Sequence, residues 1–197
     1  IDNRGHGESE KRYDTAAYGS PLMAEDARRL LDHLGIEKAH VIGYSMGARI
    51  SAFLAQAHPE RIASVTFGGL GYNMIRGMAG TGAIANALEA ASIDDITNST
   101  ARTFRAFAEQ TGSDLRALAA CIRSSRAPIT ADALGAMQRP ALVVVGSEDV
   151  IGGSAAKLAE VMPQADAVTL EGKDHMKAVG DAEFKAATLD FMARHDG

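Results

Sequence analysis

"VIGYSMGARI", Val41 to Ile50, sets a serine between two glycines. The apolar run "HVI" leads into it, and small and apolar residues at helical spacing leave on the far side. A strand that turns directly into a helix over Gly43-Tyr44-Ser45-Met46-Gly47 forces strained backbone on the central residue, and flanking glycines remove side chains that would crowd it. Ser45 would then stand out at the end of its strand, beside the partial positive charge at the start of the following helix. A plainer use is available, because serine commonly caps a helix, and one begins near Met46. The spacing by itself is weak: with 20 glycines and 12 serines in 197 residues, chance supplies about 0.12 matches. What lies on either side must decide.

Upstream, "PLMAEDARRLLDHLGI" begins with Ser20 as a candidate cap and Pro21 at the first helical position, carries apolar residues at helical spacing, and stops at Gly35. Residues 1–20 are polar and read as an ordered loop. Downstream, "RIASVTFGG" is a buried-type strand, "PALVVVGSED" a third, and "ADAVTLEG" a fourth, with helices "GGSAAKLAEVMP" and "DAEFKAATLDFMARH" between and after them. Strands alternating with helices predict an α/β fold, a mostly parallel sheet with flanking helices. Between the second and third strands the pattern turns helical and alanine-rich. The chain therefore reads as one domain over residues 1–197, with a helical lid at about 70–139 inserted between core segments 1–69 and 140–197.

The bulk properties narrow the function classes. A net charge of −5 without a block of like charge leaves no electrostatic footprint for nucleic acid or an anionic membrane. No apolar run reaches the roughly 18 residues that span a bilayer, and a cytoplasmic location is the expectation. Cys121 is the sole cysteine, which excludes an internal disulfide and a cysteine-based zinc cluster. Among the alanines and leucines of "LRALAACIRSS" it reads as a buried, inert thiol.

A serine hydroxyl needs a base to become nucleophilic at neutral pH, and the base needs an orienting group. Both should lie further along, at strand ends on the same sheet edge. The loop after the third strand holds Glu148 and Asp149, and the loop after the fourth, "LEGKDHMKAVGD", holds His175. Position after the last strand selects His175 from His6, His33, His40, His58 and His195. Asp174 reads as a solvated neighbour. The order Ser45, carboxylate, His175 fits an acyl-transfer triad.

With those residues in place, the chain resembles the α/β-hydrolase fold family: "DNRGHGES", "GYSMGA", "GSEDVIGG" and "GKDHM" are similar to four of its sequence blocks, in the right order. The resemblance implies a serine esterase with Ser45 as nucleophile, His175 as general base and acid, Asp149 rather than Glu148 as its orienting group, and the Met46 backbone N–H as an oxyanion donor. It implies no metal and no cofactor, a small-molecule ester as substrate, and a structural role for His6. Tyr44, Tyr72, Met74 and Met78, with Ile75, are candidates for the substrate pocket. Related proteins with an aspartate at the elbow are dehalogenases and epoxide hydrolases, which Ser45 argues against. Cofactor-free haloperoxidase-type or carbon–carbon bond hydrolysis stays open, as does a non-catalytic binding role.

In that family several strands precede "DNRGHGES", so the resemblance implies a form of the fold lacking them. Loss of a second oxyanion donor costs about 10²- to 10³-fold in turnover. The "HVIG" strand would present an open apolar edge, and the corresponding expectation is either a fragment of a longer hydrolase or a homo-oligomer that pairs this edge with another copy.

Overall fold

Val, Ile and Phe fit a pleated surface, and the runs rich in them are strands. The computed structural model describes residues 1–77, 80–124 and 127–196. In chain order the elements are α1 (Ser20–His33), β1 (Ala39–Tyr44), α2 (Met46–Ala57), β2 (Ile62–Gly68), α3 (Asn73–Arg76), α4 (Thr81–Glu89), α5 (Ser99–Gln110) and α6 (Leu115–Arg123). There follow α7 (Ala131–Gly135), β3 (Ala141–Gly146), α8 (Ala155–Ala159), β4 (Ala165–Leu170), α9 (His175–Ala178) and α10 (Ala182–Arg194). Among the described residues no helix is long and apolar enough to cross a membrane.

Contacts divide the chain into two compact units, residues 27–78 with 128–197 and residues 1–26 with 79–127. The first holds the sheet, in the order β1-β2-β3-β4, every pair parallel. β3 is buried at every position, as expected of a strand covered on both faces. The outer strands are more open, and Ile42 on β1 is 50% exposed. Leu142, Val144, Leu170, Ala178, Phe184 and Phe191 form one core cluster, packing β3 and β4 against α9 and α10. Register does the positioning. Tyr44 lies opposite Gly68, Gly68 opposite Val144, and Gly146 opposite Leu170, so the loops that follow β1, β3 and β4 emerge at one edge.

The second unit joins α4, α5 and α6 to the N-terminal loop. The inserted helices that pack on one another are thus narrower than residues 70–139 and share their unit with residues 1–26. Arg4 forks onto Asp26, Nε to Oδ2 at 2.7 Å and Nη2 to Oδ1 at 2.6 Å. His6 Nδ1 donates to the Arg4 carbonyl at 3.0 Å, a loop-satisfying role. Cys121 is buried. One local expectation shifts: Met23 N–H donates to the Gly19 carbonyl, so Gly19 holds the cap position and Ser20 is the first helical residue.

Candidate active site

The turn from β1 into α2 places Ser45 at φ 53°, ψ −110°, the one non-glycine residue with positive φ among those described. For a residue with a side chain such backbone is strained by about 1–3 kcal/mol and persists only where its surroundings over-determine it. They do so here. Ser45 N–H donates to the Gly68 carbonyl at 2.7 Å, tying the turn to β2. At Gly43 an added Cβ would sit 2.2 Å from the Gly47 carbonyl oxygen and 2.5 Å from Ser51 Oγ. At Gly47 it would meet nothing within 4 Å. The steric need for glycine expected on both sides of the serine therefore holds at Gly43 and not at Gly47.

Ser45 occupies the cap position of α2, yet its side chain makes no capping hydrogen bond. Its Oγ lies 3.0 Å from His175 Nε2, and His175 Nδ1 lies 2.7 Å from Asp149 Oδ2. An ionised carboxylate can only accept, so Nδ1 carries the proton and donates to Asp149; Nε2 is left to accept from the Ser45 hydroxyl. Asp149 is fixed in turn: its Oδ1 accepts from the backbone N–H groups of Ile151 at 2.9 Å and Gly152 at 2.8 Å. Its side chain is 0% exposed and that of His175 8%. Glu148 is exposed, which separates the two acids that the sequence left adjacent.

The loop that carries Asp149 is zipped to the loop after β2. Gly71 and Asn73 donate their backbone N–H groups to the Gly152 carbonyl, and Tyr72 donates to that of Ser154. The Asn73 side-chain amide donates to the Ile151 carbonyl at 2.9 Å. Gly153, at φ +73°, lies so close that a Cβ would come within 3.0 Å of the Asn73 side chain. These contacts hold the carboxylate-bearing turn from behind, and nothing in the sequence pattern marks Asn73 for that task.

Asp174, expected to be merely solvated, caps α9, the four-residue helix that begins at His175. Its Oδ1 accepts from the Met176 and Lys177 N–H groups at 3.0 and 2.9 Å. The bond from Lys177 N–H, more than any other contact, holds its carboxyl below the usual carboxylate range.

Of the pocket candidates, Tyr44 is directed elsewhere: its hydroxyl donates to the His175 backbone carbonyl at 2.5 Å, and its ring packs on the core cluster. Met74 is 1% exposed, a core side chain rather than a lining one. Tyr72 and Ile75 are half-buried. Met78 lies outside the described residues. Met46 opens α2 directly after Ser45. Among the described residues no three His, Cys, Asp or Glu side chains gather to hold a metal ion.

Serine, histidine and aspartate also meet a second time. His40 joins Ser64 Oγ at 2.7 Å and Asp196 Oδ1 at 3.1 Å, near the start of β1. Ser64 is 1% exposed on β2 and carries no strain. Residue types alone do not distinguish the two clusters: Ser45 is half-buried, on strained backbone at the loop-bearing edge, whereas Ser64 is buried within a strand.

A parallel sheet, a serine on a strained strand-to-helix elbow, and later loops bringing an aspartate and a histidine to it define the α/β-hydrolase class of fold. The chain has that fold, and the profile described as alpha/beta hydrolase fold matches its residues 1–74. A Pseudomonas putida protein, the dihydrolipoyllysine-residue acetyltransferase component of the acetoin cleaving system, is 32% identical over 99% of this chain and 56% of its own length. The chain thus spans about half the length of that relative. Among solved structures, Est816, an N-acyl homoserine lactone degrading enzyme, superimposes with a TM-score of 0.74 at 25% identity, over 97% of this chain and 81% of that one. The esterase RhEst1 from Rhodococcus sp. ECU1013 does so with a TM-score of 0.76 at 22% identity, over 98% and 79%. The last likeness speaks for the fold.

Proposed function

We propose that this chain carries the active site of a serine hydrolase that cleaves carboxylic esters of small molecules. The observation behind this reading is the hydrogen-bonded chain from Ser45 Oγ through His175 to the buried Asp149, built on the strained Ser45 backbone. As the Ser45 oxygen attacks the ester carbonyl, His175 Nε2 takes its proton. The imidazolium formed is stabilised by Asp149, which keeps Nδ1–H oriented and stays ionised. Charge gathers on the carbonyl oxygen near the start of α2, where the Met46 backbone N–H and the helix dipole would oppose it. His175 then passes the proton to the departing alkoxide, leaving an acyl group on Ser45. Water repeats the sequence in reverse and releases the acid.

No organic cofactor or metal enters these steps. An ester suits the machinery because its leaving alkoxide needs one proton, which His175 has just acquired. That Est816 degrades an N-acyl homoserine lactone, a cyclic ester, agrees with this class of substrate.

Labelling with a fluorophosphonate probe tests the nucleophile. Wild type should label and Ser45→Ala should not; equal labelling, or none in either, would sink the assignment. p-Nitrophenyl esters of graded acyl length then identify the preferred acyl group. Turnover of diketones in place of esters would replace ester cleavage with carbon–carbon hydrolysis.

A further inference from the structure

His175 is held at a third point besides its two ring nitrogens. Its backbone carbonyl accepts the Tyr44 hydroxyl at 2.5 Å. Tyr44 is the last residue of β1 and the direct neighbour of Ser45, so the segment that presents the serine also grips the residue that would activate it. The tyrosine ring stands 5.3 Å from the imidazole at 49° and meets Phe184 edge-on at 5.9 Å. Backbone walls the remaining side. A Cβ on Gly68 would come 2.7 Å from the Tyr44 ring and one on Gly69 2.5 Å, so the slot admits the ring only because both are glycines.

That grip matters because α9 has only four residues. A single helical turn has too few internal bonds to hold itself, and the imbedded imidazole must be located by contacts from outside it. Asp174 caps the turn and Asp149 fixes one ring nitrogen. Neither sets the height of the His175 backbone above the end of β1. The Tyr44 hydroxyl on its carbonyl ties that backbone directly to the end of β1. Burial first, then the charges of Asp149 and Asp174, raise the tyrosine's proton affinity, so it remains a donor across the neutral range.

We propose that Tyr44 is a positioning residue that sets the reach between His175 Nε2 and Ser45 Oγ by tethering the His175 backbone to the nucleophile strand. The inference rests on the serine-hydrolase reading above. It moves Tyr44 from the substrate pocket to the support of the base.

Tyr44→Phe keeps the ring in its slot and removes the hydroxyl alone. Saturation kinetics of fluorophosphonate labelling separate reagent binding from the bond-forming step. Since misplacing a reacting group by 1 Å can cost ~10²-fold, the maximal labelling rate should fall by about tenfold or more while the half-saturation concentration stays within about twofold. A lowered melting temperature with an unchanged labelling rate would mean a merely structural hydroxyl and would overturn the proposal. If wild type itself does not label, the hydrolase reading fails, and the His175 Nδ1 proton, followed by NMR, still reads the tether. Faster solvent exchange of that proton in Tyr44→Phe supports it, and equal exchange refutes it.

Discussion

Gly43 and Gly47 stand in contact across the elbow: a Cβ on Gly43 would lie 2.2 Å from the Gly47 carbonyl oxygen, within the first turn of α2. Neither backbone can yield without moving Ser45, which lies between them. Gly43→Ala should therefore destabilise the protein by about 1–3 kcal/mol, the usual cost of overpacking. Gly47→Ala meets open space and should be neutral or slightly stabilising, since alanine is about 1 kcal/mol better than glycine in a helix. Urea titration of both variants checks the contrast.

Asp149 and Glu148 are adjacent in sequence and opposite in consequence. Asp149→Asn would present an amide where His175 Nδ1–H needs an acceptor, favouring the wrong tautomer, and ester turnover should fall by about 10⁴-fold. Glu148→Gln alters an exposed side chain and should leave turnover within about twofold, consistent with screened surface charge. The pair is read by kcat/KM on one p-nitrophenyl ester.

Ser64→Ala removes the hydroxyl of the second Ser–His–Asp cluster. Because Ser64 is 1% exposed, no substrate reaches it, and fluorophosphonate labelling should match wild type. Stability should drop by about 1 kcal/mol for the lost hydrogen bond to His40. Loss of labelling would mean that this cluster supports the chemistry.

Asn73→Ala deletes the amide that holds the Ile151 carbonyl. The loop bearing Asp149 then loses one of its ties to the loop after β2. Turnover should fall more than KM rises, with about 1 kcal/mol less stability. Hydrogen exchange should show residues 149–154 less protected.

Asp174 supplies an acid-sensitive cap. Its folded-state carboxyl sits below its ordinary value, held there chiefly by the Lys177 N–H. The unfolded chain therefore binds this proton more readily than the folded one. The cap's contribution is fully present above the ordinary carboxylate range and is lost as pH falls through the lower folded value. Asp174→Asn can still accept from those N–H groups but cannot titrate, so stability against pH should fall less steeply on the acid side. An acid limb identical to wild type would contradict this.

Much of the fold was legible because periodicity is local. The runs "HVI", "RIASVTFGG", "PALVVVG" and "ADAVTL" each became a strand, and Gly35, at φ +66°, closes α1 as a glycine after a helix should. The element order also placed Ser45, Asp149 and His175 at consecutive loop positions. Less legible was what each side chain touches. Met74 follows a strand at the loop-bearing edge, as a pocket residue would, and its side chain is core. Asp174 precedes a charged run and is a cap. Tyr44, next to Ser45, reaches the His175 backbone carbonyl.

Sequence by itself determined the alternation of strands and helices, the glycine-bounded elbow, and the set of polar residues at the strand ends, because each depends on neighbours within a few positions. Tertiary structure decided that Ser45 meets His175 across 130 residues and that His175 meets Asp149 across 26. It also decided that Tyr44 reaches the His175 carbonyl. Those meetings follow from the register of β1, β2, β3 and β4 and from the burial that leaves Asp149 inside and Glu148 out. Register is a property of packed strands, and no single strand carries it.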